Sequence, residues 1–122
     1  MAEATEGRIE RRKHMRVNAT LKLNVRAVGT LEFYEAATAN ISEGGLMFTT
    51  SQELPVGKEI ELELMLPTTL RIVRLRGRVV WNRKTESLQE TTYDAGISIT
   101  QVNEMDLKDI RDAIIQLEHR KI

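Results

Sequence analysis

Apolar and polar residues alternate along most of this chain. Leu21, Leu23, Val25 and Ala27 are separated by Lys22, Asn24 and Arg26, the period of two expected of a strand with one buried face. Gly29-Thr30 predicts a turn into a second strand near residues 31–39, and residues 40–45 read as a turn-rich interruption before a third strand over 45–49. Pro55-Val56-Gly57 breaks the pattern again. Ile60, Leu62, Leu64 and Leu66 then alternate with Glu61, Glu63 and Met65 until Pro67 ends the strand. Leu75, Gly77, Val79 and Trp81 alternate with Arg74, Arg76, Arg78 and Val80, which predicts a long strand with one basic face and puts Trp81 in the core. Tyr93, Ala95, Ile97 and Ile99 form the inner face of the last strand.

About six short strands divided by turn signals predict a closed barrel or sandwich. The period changes at the C-terminus, where Leu107, Ile110, Ile114 and Leu117 follow at helical steps and make one apolar stripe. Asn103 is suited to cap that helix. Glu104 and Asp106 favour its positive end, and Arg120 and Lys121 its negative end. The stripe is read as packing on the barrel, with a dimer contact as the rival. No period is sustained before residue 17, so three regions follow: a flexible arm over 1–16, a barrel over 17–102 and a helix over 103–122.

Charge changes this picture more than composition does. The 122 residues suit one domain and carry no formal net charge, so no bulk field draws the chain to DNA or a membrane. Within residues 8–16, however, Arg8, Arg11, Arg12, Lys13 and Arg16 face a single acid, Glu10. A cationic arm on a neutral protein points to a small anionic ligand. The absence of cysteine excludes disulfides, thiol nucleophiles and thiolate metal sites. His14 and His119 lie far apart and read as surface residues. No apolar run approaches the roughly 20 residues of a membrane span, and the first residues lack an apolar leader. The expectation is a cytoplasmic protein without membrane insertion. Glu43, Asp94 and Asp106 form no evident pair and no nucleophile motif appears, so an enzyme is not expected. Asp94 reads as a turn residue or a cross-strand charge partner. The Arg74/Arg76/Arg78 face reads as exposed barrel surface, with a second anion contact as the alternative.

Two places concentrate binding chemistry. One is Arg12-Lys13-His14-Met15-Arg16, preceded by Arg11; the other is Asn40-Ile41-Ser42-Glu43-Gly44-Gly45. Arginine's planar fork donates paired hydrogen bonds to phosphate or to the O6/N7 edge of guanine. Short polar side chains and glycines let a turn approach a ligand closely and adopt positive φ.

Together these residues resemble the PilZ family of cyclic-di-GMP receptors, which is marked by Arg-x-x-x-Arg followed by Asp/Asn-x-Ser-x-x-Gly on a six-stranded barrel. Arg12 and Arg16 match the first element, and Asn40, Ser42 and Gly45 match the second. Gly77-Arg78-Val79-Val80-Trp81 and Tyr93-Asp94-Ala95-Gly96-Ile97 are similar to the family's later strands. The resemblance covers roughly residues 8–105. It implies a mainly β fold: a six-stranded antiparallel barrel with a C-terminal helix and a flexible N-terminal arm. It implies that Arg12 and Arg16 grip phosphate and guanine, and that Asn40 and Ser42 hold the ligand from the barrel side. Gly44 and Gly45 belong to the same turn, Gly45 leaving room. Arg11, just before the first motif arginine, implies an intercalated pair of ligand molecules on each protomer. No other cofactor is implied. The expected action is that of a ligand-switched adaptor, monomeric or weakly dimeric, acting on an effector of motility, exopolysaccharide or virulence machinery. The alternatives are an adaptor with this fold that ignores the ligand, and a single-stranded nucleic-acid barrel. Aromatics make up 4% of the chain, which disfavours the last because such barrels stack bases on aromatic platforms.

Overall fold

The structure is a computed structural model and describes residues 16–67 and 71–119. Seven strands and one helix follow in order: β1 Val17–Asn18, β2 Lys22–Ala27, β3 Tyr34–Ile41, β4 Gly45–Thr50, β5 Glu59–Met65, β6 Ile72–Glu86, β7 Thr91–Gln101 and α1 Glu104–His119. All pairings are antiparallel. Around the barrel the neighbours run β3, β2, β5, β6, β7 and β4, and β4 returns to β3, so six strands close on themselves. Of the barrel and sandwich that the alternation allowed, the closed barrel is present, as the family resemblance implied. Closure leaves the six strands without a free edge.

The seventh strand, β1, extends the line of β2 along the same edge of β3. Between the two the chain breaks step, and buried Thr38 spans the break. Its hydroxyl donates to the Ala19 carbonyl at 2.6 Å and accepts from the Leu21 amide at 2.8 Å. The Leu21 amide would otherwise be buried without a partner, which costs on the order of 1–3 kcal/mol. The consequence is positional: β1, and Arg16 just before it, are held beside β3.

The core is easiest to follow as a row across five strands. Val17 pairs with Ile41, Ile41 with Leu46, Leu46 with Ile97, and Ile97 with Val79, and all five are buried. Ile60, Leu62 and Leu64 from β5 and Phe48 from β4 fill the same interior. Two glycine turns fall where proline and glycine predicted breaks. Gly29 and Gly57 have φ of 94° and 92°, a region other residues seldom enter.

Several boundaries differ from the sequence reading. The second strand starts at Tyr34, because residues 28–33 form a loop in which Arg26 lies over the Phe33 ring, 4.6 Å from its centroid. The same strand runs on through Asn40 and Ile41, so the first two residues of the interruption expected at 40–45 are strand. The basic face of β6 is matched acid for base by β5: Arg74 with Glu63, Arg76 with Glu61 and Arg78 with Glu59. Arg26 from β2 also pairs with Glu61, and together with Arg76 it holds that carboxyl below the usual carboxylate range.

The C-terminal helix forms as its cap predicts. The Asn103 side chain accepts from the Asp106 amide at 2.7 Å, and its Nδ2 donates to Asp106 Oδ2 at 3.1 Å. Arg71 closes over the first turn by pairing with Asp106 and Asp109. Ile110, Ala113 and Ile114 are buried, Leu107 and Leu117 half-buried, and the helix packs against β1 and β6. The stripe is therefore satisfied within the chain.

Candidate functional site

The turn between β3 and β4 is organised by Ser42. Its amide donates to the Gly45 carbonyl at 2.8 Å, and its hydroxyl accepts from the amides of Gly44 and Gly45 at 3.3 and 3.2 Å. A hydroxyl one carbon from the backbone can satisfy two such amides, and glycine leaves them uncrowded. At 8% exposure Ser42 is chiefly the scaffold of the turn, and a ligand contact would share its oxygen. Gly45 is required for another reason than the one read from sequence. Its φ is not positive; a Cβ there would collide with the Ile97 carbonyl oxygen on β7. The room it leaves is for the neighbouring strand.

Register brings Arg16 to this turn. Since Val17 pairs with Ile41, the residue before Val17 falls opposite the residue after Ile41, namely Ser42. Arg16 is exposed and forms no ion pair with any described residue. Arg11 and Arg12, with the rest of the arm over 1–15, lie outside the described residues.

On the outer face, one step from the buried row, Asn18 pairs with Asn40, Asn40 with Met47, Met47 with Gly96, and Gly96 with Trp81. Asn40 Nδ2 donates weakly to Met47 Sδ at 3.7 Å. Gly96 offers no side chain, and Trp81 lies in the space it leaves: a Cβ on Gly96 would fall among the indole atoms.

Trp81 corrects the sequence reading. It is 41% exposed instead of in the core. The cause is a bulge between Val79 and Trp81, where the β6–β7 register shifts by one residue. An extra residue reverses the alternation beyond it, so Val80 and Trp81 both reach the surface. The usable signal was local: strict alternation from Leu75 would place Val80 outside, yet the two adjacent apolar residues Val80 and Trp81 break the polar half of the pattern.

These residues enclose a cavity of about 300 Å³. Arg16, Asn40, Ser42, Gly44, Gly45 and Trp81 all line it, with Met47, Gly96 and Ser98 among the others. No acidic side chain is among the described lining residues. The site thus combines one cation, backbone and amide donors, and one large aromatic plane. That set suits a planar, anionic, hydrogen-bonding ligand. Among the described residues no group of His, Cys, Asp or Glu could hold a metal ion.

Asp94 lies farther along β7 as a cross-strand partner, one of the two roles read for it. Arg83 Nη2 donates to it at 2.7 Å and the Thr49 hydroxyl at 2.8 Å, and these bonds, Arg83 first, hold its carboxyl below the usual range.

The PilZ domain family model matches residues 10–116. The chain belongs to the PilZ family. Solved structures agree on the fold. This PilZ domain resembles the inhibitor of motility MotI (DgrA) of Bacillus subtilis, with a TM-score of 0.75 and 18% identity over 90% of this chain and 52% of that one. It therefore spans about half the length of that protein. It also resembles the PilZ domain of YcgR from Escherichia coli, solved with c-di-GMP, with a TM-score of 0.68 and 15% identity over 91% of this chain and 94% of that one. A third likeness is to the PilZ domain of CeSA from a cellulose-synthesizing bacterium, with a TM-score of 0.61 and 17% identity over 86% and 99% of the two chains. No curated protein matches this PilZ domain in sequence. Among the described residues no helix is long and apolar enough to cross a membrane.

Proposed function

We propose that this PilZ domain binds cyclic-di-GMP in the cavity between Arg16 and the turn over 40–45, and works as a ligand-switched adaptor and not as an enzyme. The observation that carries the reading is that one cavity, with no acid among its described lining residues, gathers the motif residues Arg16, Asn40, Ser42 and Gly45 from the start of β1, from β3 and β4 and from the turn between them. Membership of the family supports it, as does the fold shared with the YcgR PilZ domain, which was solved with c-di-GMP.

The residue roles follow from chemistry. Arg16 and Arg12 supply planar forks for phosphate and the guanine O6/N7 edge. Asn40, with both a donor and an acceptor, meets the ligand from the barrel wall. Trp81 stacks on a guanine, since a purine face and an indole face attract one another and exclude water. The cavity alone is small for a dinucleotide. The ligand therefore extends past its mouth, and Arg11 and Arg12 supply charge for that part and for a second, intercalated molecule. Charge-assisted hydrogen bonds contribute about 1.5–3 kcal/mol each, and a micromolar complex needs about 8 kcal/mol. A few such bonds and one stacked base reach that range.

The output is a change in the surface offered to an effector protein. The inhibition of motility named for MotI is one such output; exopolysaccharide and virulence machinery are others. A second messenger made inside bacteria places this action in the cytoplasm. Isothermal titration of the full chain with cyclic-di-GMP tests the reading. Heat with a stoichiometry of two per chain is expected, one per chain would remove the intercalated pair, and no heat at tens of micromolar would remove the ligand.

A further inference from the structure

Among the described residues, three ties to the ligand turn stand out. Ser42 ties it internally, the Ile99 amide donates to the Gly44 carbonyl at 2.9 Å, and Arg111 of α1 pairs with Glu43. Only the third tie comes from the helix. Arg111 is well placed to transmit the position of α1. Its neighbour Ile110 is wholly buried, so the helix cannot shift there without moving a core side chain. A second cleft of about 520 Å³ is lined by Glu43, Gly44, Val102, Leu107 and Arg111 among others. Gly44 lines both cavities. The turn thus borders both the cavity that holds Arg16 and Trp81 and the cleft that holds Leu107 and Arg111 of the helix. The helix also packs on β1, the strand that begins just after Arg16.

We propose that Arg111 is a positioning residue of the ligand site, acting through Glu43 to hold the turn at the separation from Arg16 that the dinucleotide requires. This rests on the cyclic-di-GMP reading of the cavity. Glu43 sits between Ser42 and Gly44, both of which line the ligand cavity. A pull on Glu43 therefore moves those residues directly. Coupling of this kind is reciprocal: if docking of the helix favours the ligand, the ligand favours docking of the helix by the same factor. The device is modest in strength, because the pair is partly exposed, with side-chain exposures of 54% and 26%.

The test is a double-mutant cycle on the full chain, with cyclic-di-GMP as the probe. Arg111→Gln, Glu43→Gln and the double variant are titrated by calorimetry, and amide exchange of α1 is followed with and without ligand. Arg111→Gln is expected to weaken binding about two- to fivefold and to remove the ligand-dependent slowing of exchange in the helix. Arg111→Lys keeps most of the affinity. In the Glu43→Gln background, Arg111→Gln costs nothing further. Equal losses in both backgrounds would mean that Arg111 does not act through Glu43 and would overturn the proposal. So would binding by Arg111→Gln as tight as wild type, an outcome that leaves the ligand reading intact. A wild type that gives no heat would remove the ligand reading and this inference with it.

Discussion

Arginine does opposite work on two faces of this barrel. On the β5–β6 face Arg74, Arg76 and Arg78 each meet a glutamate one strand away, and Arg26 joins them at Glu61. On the face formed by β1, the 42–44 turn, β7 and the bulged part of β6, Arg16 meets no acid among the described residues and shares its cavity with an indole plane. The first set is neutralised by its neighbours and closes a wall. The second is not neutralised by any described residue, which suits the proposed anionic ligand. Residue type alone therefore does not mark a binding site; the local balance of acid and base does. A run of arginines opposite alternating glutamates is structure, and an arginine without a described acid partner beside a polar turn is a candidate for binding.

That contrast can be broken most sharply by exchanging which arginine is lost. Arg16→Ala should lower affinity for cyclic-di-GMP by tenfold or more, since a charge-assisted bond is worth about 1.5–3 kcal/mol, with little change in melting temperature. Arg76→Ala should do neither, and calorimetry beside thermal melts distinguishes the two. Trp81→Ala comes next, with an expected loss of about five- to tenfold from one unstacked base, while Trp81→Phe retains most of the binding. Trp81 is the one tryptophan in the chain, so its fluorescence should change as wild type fills. On the structural face the effects are smaller. Glu61→Gln removes the shared partner of Arg26 and Arg76 and should lower the melting temperature by a few degrees at most. The difference should vanish in molar salt and leave ligand affinity unchanged.

The smallest effect is one of pH. Arg83 and Thr49 depress the Asp94 pKa in the folded chain. A depressed carboxylate stabilises the fold above its unfolded pKa of about 4, and that contribution is lost as pH falls through the lower folded value. Wild type should thus exceed Asp94→Asn in melting temperature by a constant margin from neutral pH down to about 4, and the margin should close below it. Its size is under about 1 kcal/mol, as for other exposed pairs.

Most of the barrel was legible because alternation survives wherever one face is buried: Leu62 and Leu64 point inward just as their spacing implies. The cap at Asn103 and the turns at Gly29 and Gly57 were legible for equally local reasons. Trp81 was not, because a single extra residue in β6 reverses the face of everything after it, and the adjacent apolar pair Val80 and Trp81 was its one local sign. The pairing of Arg74, Arg76 and Arg78 with Glu63, Glu61 and Glu59 could have been found. Two alternating charge runs of opposite sign flank the break at Pro67, which is the signature of a hairpin with a charged outer face. The role of Gly45 was hidden for a different reason. It depends on a carbonyl of β7 more than fifty residues away, and no local pattern encodes that approach.

The central claim is that the ligand sits between Arg16 and the turn, and not on the arginine ladder. Mapping amide and indole NMR shifts during a cyclic-di-GMP titration tests it directly. The account predicts large shifts at Arg16, at the turn from Asn40 to Gly45, at Gly96 and at the Trp81 indole N–H, with the ladder from Glu59 to Glu63 and Arg74 to Arg78 left still. Shifts confined to the ladder, or a titration that moves Arg74 and Arg76 while the Trp81 indole stays fixed, would contradict it.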